Sequence, residues 1–155
     1  MTQLQPNPVS AIPEPEHLPT TGWDFEIEIY SRAHFKYGLP GFEHLSQFVI
    51  ASVKDFPPFH ILIAKEEPQV NLLIINTKLL SIYQSIEIPV TELKKIGAST
   101  IDEVDSYVVV KVNSKKNILS VNLRAPILIH KQTLSAYQAI LDRRDLSVEY
   151  SLIPV

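Results

Sequence analysis

The side chains of this sequence that could do chemistry are five histidines and a scatter of carboxylates. The histidines are His17, His34, His44, His60 and His130. No two of them have the spacing of a metal-binding pair, and none stands in an HExxH motif. Cysteine is absent, which excludes disulfides, thiolate zinc sites, iron–sulfur clusters and cysteine nucleophiles. We therefore expect no metal and no cofactor.

The carboxylates and serines form no catalytic pattern either. The acidic clusters are Glu66 with Glu67, and Asp102 with Glu103 and Asp105, and they flank turns or helix starts, where charge is solvated. No GxSxG motif supports a serine nucleophile, and four glycines cannot supply a Walker loop or a dinucleotide fingerprint. We predict that the protein is not an enzyme; the alternative is a site assembled from dispersed histidines and carboxylates.

Composition and charge favour one soluble domain that binds other proteins. The chain has 155 residues, of which 45% are hydrophobic and 20% charged, with a formal net charge of −3. Nucleic-acid binders usually carry a basic excess, so direct DNA or RNA binding is disfavoured. Apolar runs such as Leu72–Ile75 are far too short to span a bilayer. No Lys or Arg precedes Arg32, so we expect no signal peptide and a cytoplasmic location.

The elements that position these side chains begin after a proline-rich leader. Five of the twelve prolines lie in the first nineteen residues: Pro6, Pro8, Pro13, Pro15 and Pro19. Proline removes a backbone donor and fixes φ, so this stretch cannot join a sheet or a helix. We predict that residues 1–21 form a disordered leader that is dispensable for folding, and that residues 22–155 form the domain.

From Trp23 onwards the pattern is that of β-strands. Hydrophobic residues alternate with acidic ones over Trp23–Ile29, which predicts a half-buried strand with an acidic outer face. Further strands are predicted at Gln47–Val53, Phe59–Ala64, Val70–Asn76, Ser85–Val90, Tyr107–Val112, Ile118–Leu123 and Ile127–His130. The last segment, Ser147–Ile153, is apolar enough to dock on the domain. Ser135–Leu141 fits either a strand or a short helix. Short helices are predicted at Thr91–Gly97 and Ser99–Val104, with Thr91 and Ser99 as their N-caps.

About eight or nine short strands with few helices predict an all-β fold. We expect a single-domain antiparallel barrel-like fold with one or two short helices. A barrel of this size can enclose one small molecule, so a small-ligand-binding β-barrel is an alternative function. We favour a monomer.

Two segments carry the most specific pattern in the chain. The first is Gly38-Leu39-Pro40-Gly41-Phe42-Glu43, followed by His44, Leu45, Phe48 and Val49. Pro40 followed by Gly41 predicts a type II turn. The second is Val121-Asn122-Leu123-Arg124-Ala125-Pro126-Ile127-Leu128-Ile129-His130, followed by Gln138–Leu141. We predict structural roles for the turn glycines, a core position for Phe42, and a side-chain bond from Asn122 that pins the bend before Pro126. Contact roles are the alternative.

In type and order these two segments resemble the FliW family of bacterial flagellar assembly factors. The resemblance runs from about residue 23 to residue 155. It implies a barrel-like β fold without enzymatic activity. It also implies mutually exclusive binding of the translational regulator CsrA and of flagellin, the filament protein. The residues that it marks for partner binding or for the motifs are Gly38, Pro40, Gly41, Phe42, Glu43, Asn122, Ala125 and Pro126.

The sequence departs from the family pattern at four residues within that span. His60 stands where an aromatic residue is common, Asn76-Thr77 replaces an Asp-Pro pair, and His130 replaces an Asn. The acidic net charge of the chain is compatible with a basic partner such as an RNA-binding regulator.

Overall fold

The computed structural model describes residues 26–55 and 57–154. Nine β-strands account for most of this part of the chain. They are β1 (Ile27–Phe35), β2 (Gln47–Val53), β3 (Phe59–Ala64), β4 (Asn71–Asn76), β5 (Val104–Asn113), β6 (Ile118–Val121), β7 (Ile127–His130), β8 (Ser135–Gln138) and β9 (Tyr150–Pro154). The predicted leader and its boundary lie outside the described residues.

The strands form one nine-stranded sheet in the order β4-β3-β2-β1-β8-β7-β5-β6-β9, and an additional β4–β5 pairing closes it. Seven strands thus make a closed barrel, and β6 and β9 extend from the far half of the long strand β5. Neighbouring strands are antiparallel except for β1 and β8, which are parallel and pair through His34–Ser135 and Phe35–Ala136. The predicted all-β barrel-like fold is confirmed.

Side chains fill the interior of the barrel. In the barrel strands, every second side chain points to the interior, as the two-residue repeat of a strand requires. The fully buried members of this cluster include Phe35, Phe48, Ile50, Leu62, Ile74, Tyr107 and Ile127. The rings of Phe35 and Phe48 meet edge to face with their centroids 5.1 Å apart, a favourable arrangement for two aromatic rings.

A second cluster lies outside the barrel, under the segment that connects β4 to β5. Tyr83, Leu93 and Ile96 of this segment pack against Val108 and Leu128 of the sheet. The Tyr83 hydroxyl donates to the Leu123 carbonyl at 3.3 Å, and burial raises the pKa of this phenol. The segment therefore covers the outer face of β5 and β7.

The connecting segment differs from the prediction in its local structure. The strand predicted at Ser85–Val90 is wrong: Ser81–Ser85 is a 3₁₀ helix, and the extended residues that follow it pair with no strand among the described residues. The helix predicted from Thr91 is the α-helix α1 (Val90–Lys94), and its N-cap is Pro89. A proline carbonyl can accept the first helical bonds, and the Pro89 carbonyl accepts from the N–H groups of Glu92 and Leu93.

Three 3₁₀ helices accompany α1 in the described residues: Thr77–Leu79, Ser81–Ser85 and Ile101–Glu103. The last of them matches the second predicted helix, but it is capped at Thr100 and not at Ser99. Glu103 accepts bonds at 2.9 Å from the N–H groups of both Ser99 and Thr100. This side chain satisfies backbone donors that the short helix leaves free.

Candidate functional site

The two sequence motifs, far apart in the chain, meet at one groove on the surface. The groove has a volume of about 320 Å³. We call it the motif groove; its lining residues are Leu39, Pro40, Phe42, Leu72, Val109, Lys111, Asn122, Gln138, Val148 and Glu149. Leu72 and Val109 also pack on the interior cluster, so the motif groove lies over one end of the filled barrel.

The first motif forms the turn that makes one wall of the groove. The Phe42 N–H donates to the Leu39 carbonyl at 2.7 Å, and Gly41 has a φ of +87°. These are the features of the predicted type II turn, with Pro40 and Gly41 as its central residues. Glu43 accepts a bond from the Gly41 N–H at 3.0 Å, which lowers the pKa of its carboxyl group. Glu43 therefore stabilises the turn.

Gly38 is required by a close approach of two backbone segments. Its φ is +70°, and a Cβ atom built on it would lie 2.5 Å from the Cα of Glu43. A Cβ on Gly41, in contrast, would meet no atom within 4 Å. The structure thus gives both glycines conformational roles, and only Gly38 has a packing role in addition.

Phe42 does not occupy the predicted core position. Its side chain is 37% exposed, whereas that of Leu39 is 1% exposed. These two residues face each other across the turn, and Leu39 takes the inner side. Phe42 is left at the surface, where it presents an aromatic ring to the groove.

The second motif forms the opposite wall. The Asn122 side-chain carbonyl accepts a bond from the Arg124 N–H at 3.0 Å, which agrees with the predicted pinning of the bend. Ala125 and Pro126 are buried. The Ala125 carbonyl accepts a bond from the Gln138 side chain at 3.1 Å. Of the three residues that the resemblance marks in this motif, Asn122 lines the groove. Ala125 and Pro126 are buried and do not line it.

Arg124 ties the second motif to the turn before β9. Its guanidinium group donates to the Leu146 carbonyl at 3.1 and 2.9 Å and to the Arg144 carbonyl at 3.2 Å. This planar fork of donors is specific to arginine. Val148 and Glu149 follow this turn and line the groove.

Sequence reasoning missed the groove residues that lie outside the motifs. Val148 is 51% exposed although it lies in the segment Ser147–Ile153, which the sequence predicts to dock by its apolar residues. Lys111 and Glu149 form an exposed ion pair at 3.0 Å on the rim, and such a pair contributes at most about 1 kcal/mol. The alternation of polar and apolar residues in β5 could have indicated that Lys111 is exposed. No such pattern marks Val148, because β9 begins only at Tyr150.

His60 lies in β3, within the apolar strand that the sequence predicts. Its ring lies between those of Tyr30 and Tyr107, with centroid distances of 5.0 and 6.0 Å. Its Nδ1 atom is buried without a hydrogen-bond partner among the described residues. Burial accordingly lowers the pKa of His60. The His60 ring is tilted by 33° against that of Tyr30 and meets that of Tyr107 edge to face.

The described residues give little support for a metal site, a membrane-spanning helix or a small-ligand cavity. Within residues 26–55 and 57–154, no group of three His, Asp or Glu side chains is placed to hold a metal ion. No helix in the same part of the chain is long and apolar enough to cross a bilayer. The filled barrel interior leaves the small-ligand alternative without a cavity to support it in this region.

Comparison with known proteins gives a consistent result. The family model described as "FliW protein" matches residues 23–152. The flagellar assembly factor FliW of Thermotoga neapolitana is 32% identical over 130 residues, which cover 82% of this chain and 87% of the relative. That of Clostridium tetani is 31% identical, with 77% and 82% covered. A crystal structure of the flagellar assembly factor FliW superposes with a TM-score of 0.71 at 26% identity, covering 82% of this chain and 90% of the other.

Proposed function

The chain belongs to the FliW family, and from this premise we propose that it regulates flagellum assembly by binding two proteins in turn. One is a CsrA-type translational regulator, whose block on flagellin synthesis is relieved when it is bound. The other is flagellin, which withdraws the protein again as it accumulates. The proposed role is non-catalytic and is exercised in the cytoplasm, where translation occurs.

The observation that carries this proposal is the motif groove. Phe42, Val148 and Pro40 present apolar surface at an open groove, while the barrel beneath is filled. Exposed apolar surface rimmed by polar side chains is typical of protein docking sites. A metabolite-binding barrel would instead enclose a cavity with converging polar groups.

Charge supports a basic protein as one of the partners. The chain is acidic overall, and Glu26 and Glu28 are exposed at the start of β1, as the sequence predicted for the outer face of that strand. An RNA-binding regulator must carry basic residues for phosphate contacts. Complementary charge speeds such an encounter and disfavours wrong partners. The same acidic balance disfavours direct RNA binding by this chain.

The test is a calorimetric titration of the purified protein with CsrA and with flagellin from the same organism. Replacing Phe42 by Ala should weaken binding of at least one partner about tenfold or more, because aromatic side chains in a docking groove dominate binding energy. Ile82→Ala is the matched control, since Ile82 is 38% exposed and does not line the motif groove.

Two outcomes would contradict the proposal. If neither complex is detected at tens of micromolar, about the weakest affinity useful for regulation, the partners are wrong. If both complexes form but Phe42→Ala and Ile82→Ala bind alike, the groove is not the docking surface. Replacing both Glu26 and Glu28 by Lys tests the acidic face separately, because a docking role there predicts slower association with the regulator.

A further inference from the structure

Strands β4 and β5 separate beside the motif groove. They pair only through Ile74–Val109, Ile75–Val108 and Asn76–Tyr107. Beyond this point β4 continues along β3, and β5 continues along β6. Among the described residues, no strand pairs with residues 71–73 of β4 or with residues 110–113 of β5 on the sides that face each other. We call this gap the splayed cleft.

The backbone groups of β5 that face the cleft follow from the alternation of antiparallel pairing. The Asn122 N–H donates to the Val109 carbonyl at 3.1 Å, so the backbone of Val109 faces the β6 side. Successive residues of a strand direct their N–H and C=O groups to opposite edges. The backbone groups of Val110 and Val112 therefore face the splayed cleft, and an unpaired row of this kind is a template for another strand.

The same argument applies to β4. The Ala64 N–H donates to the Val70 carbonyl at 3.0 Å, so Val70 and Leu72 face β3. Asn71 and Leu73 then face the cleft. Among the described residues, two strand edges without a partner thus lie on either side of one gap; on β5, Val110 is 5% and Val112 52% exposed, so that edge is open chiefly at Val112.

The side chains around the cleft suit an apolar segment. Leu72, Val109 and Lys111 all line the motif groove, which therefore lies alongside the cleft. An extended segment paired with β5 would direct every second side chain to that face. Phe42 and Val148, both exposed, would receive apolar side chains there.

The charge near the end of β5 favours acidic residues in the segment. The turn that follows β5 carries Lys115 and Lys116, which are exposed; Lys111, which precedes them on the strand, is already paired with Glu149. A basic, RNA-binding regulator would be repelled at this place. Of the two partners proposed above, flagellin is therefore the one that fits the cleft.

We propose that the splayed cleft binds an extended segment of flagellin by β-strand addition to the free edge of β5. Every second side chain of this segment is apolar and enters the motif groove. A carboxylate of the segment lies beside Lys115 and Lys116. Strand addition of this kind derives affinity from main-chain bonds and specificity from alternate side chains. This inference rests on the proposed function, because it needs flagellin as a partner.

The decisive variant is Val112→Pro. Val112 is 52% exposed, and its N–H faces the cleft, so proline should remove a bond to the incoming strand without removing one to β6. We expect the affinity for full-length flagellin to fall at least tenfold while the circular dichroism spectrum is unchanged. Val112→Thr, which keeps the N–H and the β-branched shape, should bind like the wild type.

A second measurement does not depend on any variant. In the complex of the wild type with flagellin, hydrogen exchange at the amides of Val110 and Val112 should slow, because both become donors in a ladder. Replacing Lys115 and Lys116 by Glu should also weaken the complex, and more strongly at low salt.

The outcomes separate this inference from the function on which it rests. A wild type that binds no flagellin overturns the proposed function and this inference with it. A wild type that binds flagellin without slower exchange at Val110 and Val112 overturns this inference alone. The same conclusion follows if a folded Val112→Pro variant binds flagellin normally or loses only the regulator. If Val112→Pro does not fold, the exchange measurement decides.

Discussion

Replacing Gly38 by Ala should destabilise the fold much more than the same change at Gly41. Both glycines have positive φ, +70° and +87°, where a residue with a Cβ atom is strained by about 1–2 kcal/mol. Only at Gly38 would the new Cβ atom also overlap a backbone, 2.5 Å from the Cα of Glu43. The comparison of two alanines in one turn therefore isolates the cost of that overlap.

The expected magnitudes follow from these two contributions. Gly41→Ala carries the conformational cost alone, about 1–2 kcal/mol. Gly38→Ala adds the cost of overpacking, about 1–3 kcal/mol, because the backbone of Glu43 cannot rotate away as a flexible side chain could. The total for Gly38→Ala is about 2–5 kcal/mol. At about 4 °C for each kcal/mol, its melting temperature should lie about 4–12 °C below that of Gly41→Ala.

Urea denaturation followed by circular dichroism measures both free energies of unfolding. Gly97→Ala is the matched control, since Gly97 has a φ of +78° and open space where the Cβ would be placed. It should lose about as much as Gly41→Ala. Equal losses at Gly38 and Gly41 would refute the overlap argument. A Gly41→Ala variant with a normal midpoint but weaker partner binding would assign Gly41 a contact role.

Three further outcomes are expected. His60→Phe should raise the melting temperature, because an unpaired buried polar atom costs about 1–3 kcal/mol. The variant should also lose less stability than the wild type between pH 7 and 5. Burial lowers the pKa of His60 below its ordinary 6.5, so protonation of His60 opposes folding. An unchanged dependence of stability on pH would contradict this. Glu103→Gln should destabilise at pH 7, and the difference from the wild type should shrink as pH falls below 4.5, because backbone donors lower the pKa of Glu103 and its contribution is lost as pH falls through that lowered value; a difference of constant size in thermal melts would count against this. Arg124→Lys should cost about 1–3 kcal/mol in urea titrations, since lysine cannot reproduce the fork that holds Leu146; no loss would show that the fork is dispensable.

The regular strands were largely predictable from the sequence. β2 and β3 begin and end at the predicted residues, because continuous apolar runs with turn residues on both sides leave little choice. The strands predicted at Tyr107–Val112 and Ile118–Leu123 also correspond to β5 and β6. Barrel closure, in contrast, depends on the pairings β4–β5 and β1–β8, and the repeat within a single strand carries no information about its partner.

The site was predictable in its parts and not in its arrangement. The turn at Pro40 and Gly41 follows from local chemistry, and the bond from Asn122 likewise. Which of two apolar residues beside a turn points inward is decided by the neighbouring strands, so Phe42 was misplaced and Leu39 overlooked as the buried partner. The strand predicted at Ser85–Val90 failed because residues 86–89 pair with no strand among the described residues, and an alternating pattern does not tell whether a partner strand lies beside it.

The parallel contact of β1 with β8 has a consequence for how the chain folds. It joins residues about 100 positions apart, and two residue pairs make up all of it in the described part. The antiparallel meander from β1 to β4 needs only short loops and can form while the later half of the chain is still being synthesised. The β1–β8 seam can form only after β8 has left the ribosome. Until then the nascent chain exposes the free edge of β1, and the seam is the place where the mature barrel is expected to open first.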